Sequence, residues 1–142
     1  MKDLGKTKFC LALQLEHLPT GMFVYQAAYV EKILKKFNMD KSYATKTPMI
    51  VRSLDVEKDP FRPREEGKAV LGPHVPYLSA IGALMYLANN TRPDIEFAVN
   101  LLARHSAAPN KRHWVGIKTV FRYLMALEIL DYFIIEIKIQ FC

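Results

Sequence analysis

Hydrophobic and polar positions alternate strictly near the start of the chain. Phe9, Leu11, Leu13 and Leu15 interleave with Lys8, Cys10, Ala12, Gln14 and Glu16. A period of two over this stretch predicts one half-buried strand across 8–16. His17-Leu18-Pro19-Thr20-Gly21 then supplies Pro and Gly for a hairpin loop of about five residues. Met22-Phe23-Val24-Tyr25-Gln26 returns as the second strand. From Ala27 the period changes. Tyr29, Val30, Ile33, Leu34 and Phe37 fall on one helical face, with Glu31, Lys32, Lys35 and Lys36 on the rest. Asn38 is placed to stop this helix, and Lys35 and Lys36 suit its negative end.

Residues 39–75 show no sustained period. They hold Pro48, Pro60, Pro63, Gly67, Gly72 and Pro73 around a charge-dense run over 55–68, which predicts a long, mobile connection. Three helices follow. In the first, Leu78, Ile81, Leu84, Met85 and Ala88 make the predicted inward stripe, and small Ser79, Ala80, Gly82 and Ala83 predict close helix approach. Pro93 opens the second, with Asp94 and Glu96 near its positive end and Ile95, Ala98, Val99, Leu101 and Leu102 inward as far as about His105. After a turn at Ser106–Asn110, the third carries Trp114, Ile117, Phe121 and Leu124 on one side and Lys111, Lys118 and Arg122 on another. Ile135, Ile137, Ile139 and Phe141 alternate with Glu136, Lys138 and Gln140, a predicted C-terminal strand. The expected fold class is α+β: an N-terminal antiparallel β-hairpin, a mainly helical bundle, and a strand in the tail.

Composition narrows the function classes. With 142 residues, 51% hydrophobic and 24% charged, the chain is too apolar for a disordered tail. No apolar run reaches the ~18 residues of a membrane span, and Met1-Lys2-Asp3-Leu4-Gly5-Lys6 lacks the apolar region of a signal peptide. The expectation is no membrane partner, no targeting signal, and a cytoplasmic or nuclear location. Cys10 and Cys142 are the only cysteines, neither a disulfide framework nor a metal knuckle, which fits a reducing compartment. The net charge of +6 is uneven: +5 over 1–52, −1 over 53–76 and +2 over 77–142. Such an excess favours polyanionic partners.

Candidate chemistry is sparse. The glycines are scattered, so no phosphate-cradling loop exists. His105 and His113 are too far apart for an i, i+4 ligand pair. Ser79 and Ser106 lack nucleophile-elbow surroundings. Cys10 reads as a strand residue. Two-metal nucleotidyl transfer needs clustered carboxylates; the only adjacent acidic pair is Glu65-Glu66, and Asp94 and Glu96 point to different sides of a helix. No catalytic residue, metal ligand or cofactor is expected within the chain. The basic faces remain: Lys32, Lys35 and Lys36 on the first helix, and Lys111, Lys118 and Arg122 on the last. Such faces follow a phosphate backbone, although ordinary solvated helix faces share the pattern.

Several runs carry a resemblance. Leu4-Gly5-Lys6-Thr7-Lys8-Phe9, Leu11-Ala12-Leu13-Gln14-Leu15-Glu16, the stretch Gln26 to Met39, Thr47-Pro48, the stretch Pro76 to Leu87, Thr91-Arg92-Pro93-Asp94-Ile95, His113-Trp114 and Arg122-Tyr123-Leu124 occur in this order. Together, over about residues 2–124, they resemble the reverse transcriptase of copia-type long-terminal-repeat retrotransposons. The resemblance implies a partial polymerase. Residues 1–26 correspond to the hairpin at the palm edge, near the primer terminus, and 27–124 to the thumb, with the mobile connection at about 39–75. In the family, the Tyr-x-Asp-Asp turn that holds Mg²⁺ lies shortly before this hairpin, and a ribonuclease H domain follows the thumb. The chain is therefore expected to lack the catalytic aspartates, to be no polymerase on its own, and at most to bind an RNA/DNA duplex weakly and without sequence preference. The missing palm and ribonuclease H parts of the parent polyprotein would be its natural partners. Residues 125–142 depart from the family pattern, as do Ala12, where Gly is usual, and Glu96, where a small residue is usual. A truncated or decayed copy is implied. The competing reading is a small α+β interaction protein or remnant with no nucleic-acid role.

Overall fold

The fold is a computed structural model that describes residues 8–10, 13–19, 21–49 and 69–129. It is α+β, as the patterning predicts. The strands β1 (Phe9–Cys10), β2 (Leu13–Leu18) and β3 (Gly21–Tyr25) form an antiparallel sheet in the order β1-β2-β3. The alternating run over 8–16 is therefore two strands rather than one. Cys10 lies opposite Leu13, and Phe9 opposite Gln14. Alternation assigns faces but does not distinguish one long strand from two that pair. The β2–β3 ladder runs from Gln14 opposite Tyr25 to Leu18 opposite Gly21, so the hairpin connection is tighter than five residues. Short connections match the natural twist of paired strands.

Helix α1 (Ala27–Lys36) follows at once. Its start is capped from the sheet: Gln14 Oε1 on β2 accepts the Ala28 N–H at 2.9 Å. Its end is the predicted stop. Asn38 adopts a positive φ of 57°. The Asn38 N–H donates to the Lys35 carbonyl at 3.2 Å and the Met39 N–H to the Leu34 carbonyl at 2.8 Å. This is the Schellman arrangement, and Met39 and Leu34 are both buried, as its apolar contact requires.

Helix α2 (Tyr77–Asn90), a 3-10 turn (Pro93–Ile95), α3 (Glu96–Ala103) and α4 (Lys111–Ile129) complete the bundle. The buried face of α2 is Tyr77, Ala80, Ile81, Leu84, Leu87 and Ala88. Leu78, expected inward, is 70% exposed. Tyr77 takes the inward position instead, and its hydroxyl donates to the Leu102 carbonyl on α3 at 2.7 Å. One residue along a helix is about 100° of rotation, enough to carry Leu78 out of the face. Gly82 also departs from expectation: it is exposed, with no atom within 4 Å of where a Cβ would stand. Ala80, with 0% exposure, lies in the packed face instead.

One apolar cluster joins all four helices. Phe37, at the end of α1, stacks on Phe121 of α4, ring centroids 5.2 Å apart. Ile95, Val99 and Leu102 fill the centre beside Leu84, Ile117 and Leu124. Trp114 packs against this cluster but is only half-buried, its ring 6.5 Å from that of Tyr77. Leu13, Leu15, Val24 and Tyr25 of the sheet are half-buried, outside the cluster. Residues 125–129, assigned to the divergent tail, continue α4. The expected strand over 134–141, the charge-dense run over 55–68, the leading Leu4-Gly5-Lys6-Thr7 and Ala12 lie outside the described residues. No described helix is long and apolar enough to cross a membrane.

Candidate nucleic-acid interface

Lys32, Lys35 and Lys36 are all exposed, on the side of α1 away from Val30, Ile33 and Leu34. Two of them have neighbours. Lys35 Nζ lies 2.6 Å from Glu31 Oε1, a pair one helical turn apart with both side chains more than half exposed. An exposed pair of this kind is worth only about 0.3–0.5 kcal/mol and yields readily to a stronger anion. Lys36 Nζ donates to Ser79 Oγ on α2 at 3.4 Å and lies 5.5 Å from the Phe37 ring centroid.

On α4 the predicted stripe is present. Lys111 is exposed, Val115 is 40% exposed, and Lys118 and Arg122 are half-buried. At 1.5 Å per residue the stripe from Lys111 to Arg122 is about 16 Å long. Arg122 is more than a surface charge. Its guanidinium carbon sits 4.3 Å from the Tyr43 ring centroid, and its Nε is buried with no hydrogen-bond partner among the described residues. Its carbonyl accepts the Thr45 N–H at 3.2 Å, and the Thr45 hydroxyl donates to the Thr119 carbonyl at 3.4 Å. The segment around Tyr43 is thereby pinned along α4. Because α1 and α4 pack together through Phe37 and Phe121, both basic clusters ride on neighbouring helices of one bundle.

A stronger charge signal was available than regional sums reveal. Residues 97–127 contain no Asp or Glu but hold Arg104, Lys111, Arg112, Lys118 and Arg122. Totals over 77–142 average this stretch with the acidic residues on either side of it.

The chemistry-bearing residues near α4 prove structural. His113 has 0% exposure, and its Nδ1 accepts the Asn110 N–H at 3.1 Å while Asn110 Oδ1 accepts the His113 N–H at 3.1 Å. This is a reciprocal capping box with His in the place usually held by Glu or Gln. His105 and His113, too distant in sequence for a helical ligand pair, stack at 4.0 Å with planes 3° apart, because the intervening turn folds the chain back. No group of three or more His, Cys, Asp or Glu suited to a metal ion occurs among the described residues. Asp94 is engaged as well. Arg92 donates to both its oxygens, at 2.9 and 2.7 Å, and the Tyr123 hydroxyl donates to Oδ2 at 2.7 Å. Burial works to raise the Asp94 pKa, but the bonds from Arg92 and Tyr123 and the Arg92 charge outweigh it and hold the carboxyl below its ordinary value.

No family model matches the chain, and no solved structure matches it significantly. Curated proteins do. Over 127 residues, 87% of the chain, it is 35% identical to the retrovirus-related Pol polyprotein from transposon TNT 1-94 of Nicotiana tabacum. Over 124 residues it is 31% identical to the corresponding polyprotein from transposon RE1 of Arabidopsis thaliana. The chain is homologous to copia-type retrotransposon Pol polyproteins. This Pol-related chain covers only 9% and 8% of those two proteins. A third relative is an uncharacterized mitochondrial protein of Arabidopsis thaliana, 32% identical over 127 residues, of which the chain covers 48%. In the Pol-related chain, the motif Thr91-Arg92-Pro93-Asp94 forms the corner between α2 and α3. Its Thr91 hydroxyl donates to Gln26 Oε1 at 2.7 Å, and its Asp94 accepts from Tyr123 on α4.

Proposed function

We propose that this chain is a piece of a copia-type reverse transcriptase, palm-edge hairpin plus thumb, that grips the phosphate backbone of template–primer nucleic acid without reading its sequence and does not polymerise alone. The observation that carries the binding reading is the α4 stripe: Lys111, Lys118 and Arg122 on one face, inside a stretch free of acidic residues. Cations on such a face replace the counterions of a phosphate backbone. The second part rests on the acidic residues. None of the six aspartates in the chain adjoins another. The Mg²⁺ that the resemblance implies finds no fitting donor set among the described residues: Asp94 is bonded to Arg92 and Tyr123, and Glu96 stands alone and exposed.

Anisotropy titrations with duplexes of unrelated sequence test the first part. Binding is expected at ~10⁻⁴–10⁻⁶ M near physiological salt, alike for each sequence. Three phosphate contacts give a log–log salt slope of about −2.7, and six give about −5.4. Lys111→Ala combined with Lys118→Ala should reduce the slope's magnitude by about two. No binding at low salt, or binding that this double variant leaves unchanged, overturns the reading and favours a protein with no nucleic-acid role. Primer extension with Mg²⁺ or Mn²⁺ should stay at background; extension abolished by a substitution in this chain overturns the second part.

A further inference from the structure

Tyr43 stands out among the exposed apolar side chains. It is 68% exposed, yet its backbone is fixed from both sides. Upstream, the Ser42 N–H and hydroxyl both donate to the Met39 carbonyl, at 3.2 and 2.6 Å. Downstream, Thr45 is bonded to the Arg122 and Thr119 carbonyls of α4. One side of the ring is taken by the Arg122 guanidinium at 4.3 Å. Exposed Lys41 and Lys46 flank it in sequence, and the stripe of Lys118 and Lys111 leads away from Arg122 along α4. A fixed, open aromatic ring backed by a cation and set at the end of a basic track has the elements of a single-strand binding site: charges follow the backbone while the ring stacks on a base.

The other exposed aromatic side chain among the described residues provides a contrast. Phe97 is 65% exposed, but its neighbour on α3 is exposed Glu96, and Asp94 lies three residues before it. A polyanion is attracted to the first ring and not to the second.

We infer that Tyr43 is a stacking platform for an unpaired base, so that the α4 face prefers single-stranded over fully paired nucleic acid. This rests on the backbone-binding reading above and narrows it. In a duplex every internal base face is covered by its neighbours, and only a single strand offers one to the ring. The base would lie on the side of Tyr43 away from Arg122, with phosphates passing Lys118 and Lys111.

The test compares a mixed-sequence single strand with a blunt duplex of the same length, by anisotropy at low and moderate salt, for the whole chain and three variants. The single strand is expected to bind more tightly. Tyr43→Ala should weaken it about 5- to 150-fold, the range for loss of one stacked base, while leaving duplex binding unchanged. Tyr43→Phe keeps the ring and should retain the affinity, which separates stacking from loss of the hydroxyl. Phe97→Ala should change neither. Equal binding of strand and duplex, or a single-strand preference that survives Tyr43→Ala with circular dichroism unaltered, overturns the platform and leaves backbone binding standing. Absence of any binding at low salt overturns both.

Discussion

Asp94 sits between two donors, and its ionised form is the one they hold. Since its folded pKa is lowered, its contribution to stability is complete above the ordinary carboxylate value, about pH 4, and is lost as pH falls through the lowered folded value. Tyr123→Phe deletes one hydrogen bond to a charged, partly exposed acceptor and should cost about 0.5–1.5 kcal/mol at pH 7. Denaturant unfolding at pH 7 and pH 3 should show that difference shrinking on acidification. A constant difference would mean that the carboxylate's charge plays no part. The sequence marks Arg92-Pro93-Asp94 as a helix start, and the Pro at the first turn is where expected. Tyr123 was not legible as its partner, because it lies 29 residues away and no local spacing joins the two. His113 was illegible for a related reason: its burial and stacking follow from a turn whose geometry depends on what α3 and α4 pack against.

At the scale of elements, helices were legible where charge fixes their phase. In α1, Glu31, Lys32, Lys35 and Lys36 leave one apolar face, and Val30, Ile33, Leu34 and Phe37 are buried there as read. Helix α2 contains no charged residue to mark its edges: Ile81, Leu84 and Ala88 are buried as read, but the first turn turns Tyr77 inward and leaves Leu78 exposed. The same helix offers a direct check. Gly82 is exposed in the helix interior with open space at its missing Cβ. Gly82→Ala should therefore stabilise the protein by about 0.5–1 kcal/mol, read as a higher denaturant midpoint with an unchanged slope. A loss of stability would mean that the site is crowded. For the candidate interface, the lysine spacings were legible because they are helical. The Tyr43–Arg122 contact was not, since Tyr43 belongs to an aperiodic stretch that is fixed only by bonds to α4.

Across the whole molecule, the α+β class follows from the change of period at Ala27. The division of the alternating run into β1 and β2 does not, because pairing is a property of two segments and alternation of one. The helices share one core, and among the described residues hydrogen bonds tie the sheet end to them: the Ala28 N–H to Gln14, and the Thr91 hydroxyl to Gln26, the residue after β3, across 65 residues. Gln26 is itself buried, with its Nε2 lacking a hydrogen-bond partner among the described residues, so the joint has a polar defect at its centre. With Leu13, Leu15, Val24 and Tyr25 half-buried outside the core cluster, the sheet is expected to open before the bundle. Backbone amides of the β2–β3 ladder, such as those of Glu16 and Phe23, should exchange with deuterated solvent through a partial opening, well ahead of those of Leu84 and Phe121, which wait for global unfolding. Uniform protection across sheet and helices would show instead a single cooperative unit. If the two tiers are observed, the hairpin and the bundle have separate opening free energies, and a partner that touches both can stabilise their junction without altering either part.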